Sequence, residues 1–178
     1  MLQGERVVLR AIEEEDLEAL ARWVNDLELE VLGGGDPPTP QSVARVKADH
    51  ERRHKEDNDD AHFAIEVAGK LIGMLALFHT DTTARTSELG VVIGEREYWG
   101  QGYGQDAIRT AVDYGFRHRN LQRVWLSVTA TNDRAINAYK RCGFVEEGRL
   151  REHVWSNGAH RDLICMGVLR EEWTSPHA

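Results

Sequence analysis

The segment Trp99-Gly100-Gln101-Gly102-Tyr103-Gly104-Gln105 carries the densest chemical signal in the chain. Three glycines at alternate positions remove the side chains that keep an anion away from the backbone. The apolar spacing on either side puts them where a strand gives way to a helix, whose first-turn N–H groups are unpartnered and whose dipole presents its positive end. That arrangement cradles phosphate. A dinucleotide fingerprint counted from Gly100 requires Gly or Ala where Gln105 stands, and an acidic residue closing the next strand. That strand, Arg123-Val124-Trp125-Leu126-Ser127-Val128-Thr129, has none. No Gly-Lys-Ser/Thr follows the loop, which removes a P-loop. A second suggestive spacing, His50-Glu51-Arg52-Arg53-His54, matches H-E-x-x-H, a helix face for zinc with Glu51 as base. Its flanks are charged on both sides and offer no apolar face to pack into a core, so no metal is expected.

The elements that must hold the loop alternate between strand and helix. Val7 to Arg10 reads as a short strand, and Leu17, Leu20, Ala21 and Val24 recur at helical spacing until Gly33-Gly34-Gly35-Asp36-Pro37-Pro38 breaks the pattern. A polar helix over Gln41 to His54 precedes a hairpin of Ala61 to Val67 and Leu71 to His79 about Ala68-Gly69-Lys70. Ser87 to Ile93 is the strand that feeds the glycine loop. The helix that leaves it, 102 to 119, buries Ile108, Ala111, Val112 and Gly115. The stretch from Thr131 to Phe144 starts with capping residues, carries Ile136 and Tyr139 on one face and ends at Gly143, which can take a left-handed cap. Two last strands, Phe144 to Val154 and Ala159 to Leu169, turn at Asn157-Gly158. The predicted class is a mixed α/β (α+β) fold in one domain, 1–178 with its core over about 5–173.

Strand, glycine loop, helix, strand and the capped Asn132-to-Tyr139 helix together resemble the GNAT N-acetyltransferase superfamily, in its RimJ/RimL-like, spermidine-acetyltransferase-like branch. The resemblance extends from Arg6-Val7-Val8-Leu9-Arg10 to Trp173. It implies a central, mostly antiparallel sheet flanked by helices, acetyl-CoA as cosubstrate and a primary amine as acceptor. It also implies roles position by position. Val91, Val92 and Ile93 would offer backbone groups to the pantetheine arm and the thioester oxygen, as an added strand pairs with an open edge. Gln101, Gly102, Tyr103, Gly104 and Gln105, following Gly100, would give N–H groups to the pyrophosphate. Asn132 would bond the pantetheine amides, a role that helix capping rivals. Trp99 would belong to the same cofactor-binding cradle through its backbone; it stands where the superfamily more often has Arg or Gln, so a side-chain phosphate contact is not expected there.

An alkylammonium with pKa near 10 is not a nucleophile at pH 7 and needs a base, for which the matching residue is Glu88, acting through water. Expulsion of the thiolate is helped by an acid, for which the matching residue is Tyr139. A phenol near 10 can protonate a thiolate whose acid is near 8.5.

With 22 basic and 30 acidic residues, a formal charge of −8 argues against nucleic acid and anionic membranes as partners. No apolar run reaches membrane-spanning length and the N-terminus lacks an apolar leader core, so a cytoplasmic protein is expected. Cys142 and Cys165 form no metal or disulfide framework and read as buried thiols. Acids crowd residues 13 to 36 and cations residues 117 to 151, a polarity suited to a cationic amine at one end and an anionic cosubstrate at the other. Dipole-favoured acids at a helix start explain part of it. The acceptor stays open among polyamine, protein N-terminus, aminoglycoside and small amine metabolite. A homodimer and a non-catalytic CoA-binding module also remain possible readings.

Overall fold

The computed structural model describes residues 1–33, 39–55 and 59–175. Its centre is an eight-stranded mixed sheet in the order β1-β2-β3-β4-β5-β6-β8-β7. The strands are β1 (Leu2–Gln3), β2 (Val8–Arg10), β3 (Ala61–Val67), β4 (Lys70–Asp81), β5 (Thr86–Ile93), β6 (Arg123–Thr129), β7 (Val145–Ser156) and β8 (Ala159–Leu169). Every neighbouring pair is antiparallel except β5 and β6, which run parallel. A parallel pair requires a crossover, and the helix α4 (Tyr103–His118) supplies it.

Alternation along the strands builds one core on each face. Leu89, Val124, Leu126 and Val128 point to α4 and α5 (Asp133–Arg141), joining Ile108, Ala111, Val112, Ile136, Tyr139 and Phe144. On the other face Met74 and Val92 pack beneath α1 (Leu17–Val24), α2 (Leu27–Gly33) and α3 (Val43–Lys55), against Leu17, Leu20, Trp23, Leu29 and Val46. Burying a side chain of this size stabilises by about 1.5–3 kcal/mol, so both layers are held firmly to the sheet.

Three sequence expectations need correction. The helical pattern from Leu17 does not run unbroken to the glycines: Asn25 ends α1, its Nδ2 donating to Ala21 O and Gln41 O, and Asp26 Oδ1 accepts the Glu28 and Leu29 N–H groups to start α2. The two short polar side chains outcompete helix continuation. Residues 34–38 of the expected breaker lie outside those described. Cys142 is buried, but Cys165 is only partly so, because the facing strand β7 is exposed along most of its length. The strand expected from Phe144 begins at Val145, since Phe144 N–H still bonds Tyr139 O at the end of α5. The H-E-x-x-H stretch falls in α3, where Glu51 and Arg52 are exposed; the side chain of His54 is outside those described.

Candidate active site

Strands β5 and β6 stay paired only from Thr86/Arg123 to Glu88/Trp125. Beyond that point β6 remains with β8 and β5 with β4, so the sheet splits. Gly94 N–H bonds Ile72 O, which assigns residues 92, 90 and 88 to the β4 ladder, while Arg85 O accepts N–H groups from Gln122 and Arg123 on the other side. Leu89, Val91 and Ile93 therefore turn their main-chain groups into the split. Of the three residues expected to offer such groups, Val91 and Ile93 face the split, with the Ile93 carbonyl already taken by Trp99 Nε1, whereas Val92 turns its groups to Met74. A cleft of about 370 Å³ occupies the opening. It passes from Leu29 and Leu32 on the α2 face, between Leu89–Ile93 and Ser127–Val128, to Gly102–Gln105, Ala138 and Tyr139 on the α4–α5 face.

The glycine loop forms one wall of this cleft. Gly102 is the residue before the first turn of α4 and has φ +89°, a left-handed backbone that turns the chain so sharply that the first N–H groups of α4 face the cleft. Gly100, at φ +73°, makes the preceding turn. Gly100, Gly102, Tyr103, Gly104 and Gln105 all line the cleft. Gln101 does not: its side chain folds back to Glu97 O and its carbonyl accepts from the Arg6 guanidinium, which also lies over the Tyr103 ring, 4.1 Å from its centroid. The loop is anchored from below by Asp106, whose carboxylate takes three backbone N–H groups of the N-terminal segment. Main-chain donors at a helix N-terminus, with glycine at 100, 102 and 104, give this wall the chemistry that suits an anionic group.

Tyr139 closes the inner end of the cleft. It is 8% exposed, packs on Phe144 and sits in the α4–α5 core. Burial, with a smaller contribution from Cys142, pushes its phenol up to about 12. The Cys142 thiol, which contacts Gln105 O at 3.6 Å, is likewise pushed up by burial to about 11 and is no thiolate nucleophile.

Glu88 stands on the opposite face, on the last paired residue before the split, and it is not among the residues lining the cleft. Its side chain is 13% exposed; Oε2 meets His79 Nδ1 at 3.0 Å and Oε1 accepts from Ser127 Oγ at 3.3 Å. Ser127 does line the cleft, so the carboxylate reaches it through one hydroxyl. Asn132 caps α5 through Oδ1 to Ala135 N–H, and its Nδ2 donates to Leu32 O at the end of α2. The capping role is realised, and both ends of the amide are engaged.

Three contributors escaped the sequence reading. Arg134, in the first turn of α5, lines the cleft with its guanidinium 3.9 Å from the centroid of the Trp99 ring. Trp99 Nε1 donates to Ile93 O at 2.6 Å, so the indole is a platform that fixes both the open strand edge and a cation beside the glycine loop. His79 and Ser127 flank Glu88. None of these has a local signal, because each partner lies on a different element. Of the nine acids between 13 and 36, Glu14, Asp16, Asp26 and Glu28 are paired with Lys47, Arg10 and Arg96. Glu30 on α2 is half-buried and its carboxyl is raised by burial.

Residues 6–145 match the acetyltransferase (GNAT) domain family. The chain is 35% identical over 122 residues to a spermidine N(1)-acetyltransferase of Vibrio cholerae serotype O1, covering 68% of this chain and 70% of that protein. It is 28% identical over 177 residues to the spermidine N(1)-acetyltransferase of Escherichia coli (strain K12), covering 99% and 93%. At 28% over 174 residues it is also similar to the putative ribosomal N-acetyltransferase YdaF of Bacillus subtilis, covering 96% and 94%. Among solved structures, spermidine N-acetyltransferase from Vibrio cholerae in complex with CoA and spermine superposes with a TM-score of 0.86 at 30% identity, over 95% of this chain and 98% of that one.

Proposed function

The chain belongs to the GNAT acetyltransferase family and is an acetyl-CoA-dependent N-acetyltransferase, and from that premise we propose that its acceptor is a primary amine of a polyamine. The observation that carries the reading is the likeness, at 30% identity over 95% of the chain, to a structure that holds CoA and spermine together. The same reading treats the chain as one N-acetyltransferase domain working in the cytoplasm.

Each element of the cleft then has a task. The N–H groups of Tyr103, Gly104 and Gln105 at the start of α4 would hold the diphosphate, with Arg134 as a nearby cation. Val91 and Ile93 would pair with the amide-bearing arm along the open edge of β5, which aims the acyl group into the split. Glu88 takes a proton from the ammonium on the α2 face. Tyr139 gives its proton to the departing sulfur on the α4–α5 face; its raised pKa keeps it loaded throughout the neutral range.

The test is a thiol-release assay with acetyl-CoA against spermidine, spermine, N-terminal peptides and aminoglycosides. The polyamines are expected to give the highest kcat/KM. Preference for the peptides would support a protein N-terminal acetyltransferase, in line with the similarity to the putative ribosomal enzyme. Silence across the panel with tight CoA binding would point to a CoA-binding module.

A further inference from the structure

Turning R–NH3+ into an amide removes two protons from nitrogen. One ends on the sulfur of coenzyme A and the other has to reach solvent. Glu88, 13% exposed and one hydroxyl removed from the cleft, receives the proton but is poorly placed to release it. On its far side stands His79, 72% exposed, with Nδ1 3.0 Å from Glu88 Oε2. His79 has a left-handed backbone, φ +48°, inside the irregular register between Phe78 and Asp81 where β4 and β5 lose step. Irregularities of this kind re-aim a side chain, and here the imidazole is turned across to β5 with its ring 4.7 Å from that of Phe78.

We propose that Ser127, Glu88 and His79 form a proton exit that leads from the cleft to solvent, with His79 as the residue that empties Glu88. The proposal rests on the reading of Glu88 as base. In the first step the Ser127 hydroxyl gives its proton to the Glu88 carboxylate while accepting one from the ammonium, which becomes R–NH2. Rotation of the protonated Glu88 carboxyl carries the proton that entered on the Ser127 side over to His79, where it passes to Nδ1 of the neutral Nε2–H tautomer, and the imidazolium releases its Nε2 proton to water or buffer. The exposed ring returns to its starting tautomer by exchange with solvent, and carboxylate, hydroxyl and imidazole are restored. The other acids around this turn are Asp81, which accepts the Thr83 and Ala84 N–H groups, and Asp60, which accepts from Thr80 N–H. The nearby cations Arg85 and Arg123 bond Asn120 and Glu147.

His79→Asn separates this role from a structural one, because asparagine tolerates a left-handed backbone and can still donate to Glu88, yet does not titrate. In dilute buffer its kcat should fall about tenfold, with the KM for acetyl-CoA unchanged, and rise again as imidazole is added. Ser127→Ala should lower kcat without rescue by imidazole, since its break lies upstream of His79. Wild-type turnover of His79→Asn in dilute buffer, with no dependence on buffer concentration, would overturn the exit path. If Glu88→Gln is inactive while His79→Asn and Ser127→Ala are normal, the base reading stands and the exit path falls. If Glu88→Gln turns over normally, the base reading itself fails.

Discussion

Asp106 Oδ2 accepts the backbone N–H of Arg6 at 2.7 Å, and the same carboxylate takes the N–H groups of Glu5 and Val7, about a hundred residues away in sequence. The start of α4 is thereby tied to the N-terminal segment, and through Arg6 to the carbonyl of Gln101 in the glycine loop. Asp106→Ala leaves three part-buried or buried donors without their acceptor. It should cost about 2–4 kcal/mol in urea unfolding, hydrogen bonds to a charged group being worth about 1.5–3 kcal/mol each and sharing one partner here.

Gly102→Ala should weaken binding of CoA more than it weakens the fold. The backbone at φ +89° admits a Cβ only with strain, and the built Cβ lies 3.4 Å from the Arg6 guanidinium. Relaxing that strain swings the first N–H groups of α4 away from the cleft. Calorimetry with CoA should show affinity lowered roughly tenfold, the equivalent of about 1.4 kcal/mol.

Tyr139→Phe keeps the packing on Phe144 and removes only the hydroxyl, so kcat should drop by about 100-fold with little change in the KM for acetyl-CoA. The phenol's pKa is raised by burial to about 12, so the proton is retained as pH climbs past the ordinary tyrosine value near 10. A pH-rate profile of the native chain should therefore show no loss of turnover from this group below about pH 10. A fall near pH 8 that disappears in Tyr139→Phe would contradict the assignment.

Asp16 should make the fold acid-sensitive. Burial pushes its carboxyl up, but the hydrogen bond from Arg10, the Glu13 N–H, the Arg10 charge and His50 together outweigh burial and hold it below the usual range. A depressed carboxylate contributes stability above its unfolded pKa, near 3.9, and that stability is lost as pH falls through the folded value. Asp16→Asn should lower stability at pH 7 by about 2 kcal/mol and flatten the dependence on pH below about 4 in acid unfolding.

The parts of the site that were legible in the sequence are those built from consecutive residues. The glycine loop, the face of Ile108, Ala111, Val112 and Gly115, and the Asn132 cap depend on neighbours within a turn, and they stand where the pattern put them. What was hidden depends on pairs far apart in sequence. Asp106 gave no hint of Arg6, nor Arg134 of Trp99, because an ion or a ring finds its partner only after the sheet is assembled. Val92 was misjudged for a related reason: which edge of β5 a residue addresses is set by its register with β4, which the chain does not announce locally. The split of the first helix could have been found, since Asn25-Asp26 is a pair that stops one helix and starts another.

Because the sheet parts between β5 and β6, the hollow it leaves is lined from both faces of the sheet, by Leu29 and Leu32 on one side and by residues of α4 and α5 on the other. If, as proposed, the two reactants enter from those opposite sides, they meet without either passing the other, and no side chain needs to ferry the acyl group between them. Initial-rate plots should accordingly intersect, as for a ternary complex. A single molecule made by joining the two reactants would thread the protein like a bolt through a plate, gripped by both layers at once.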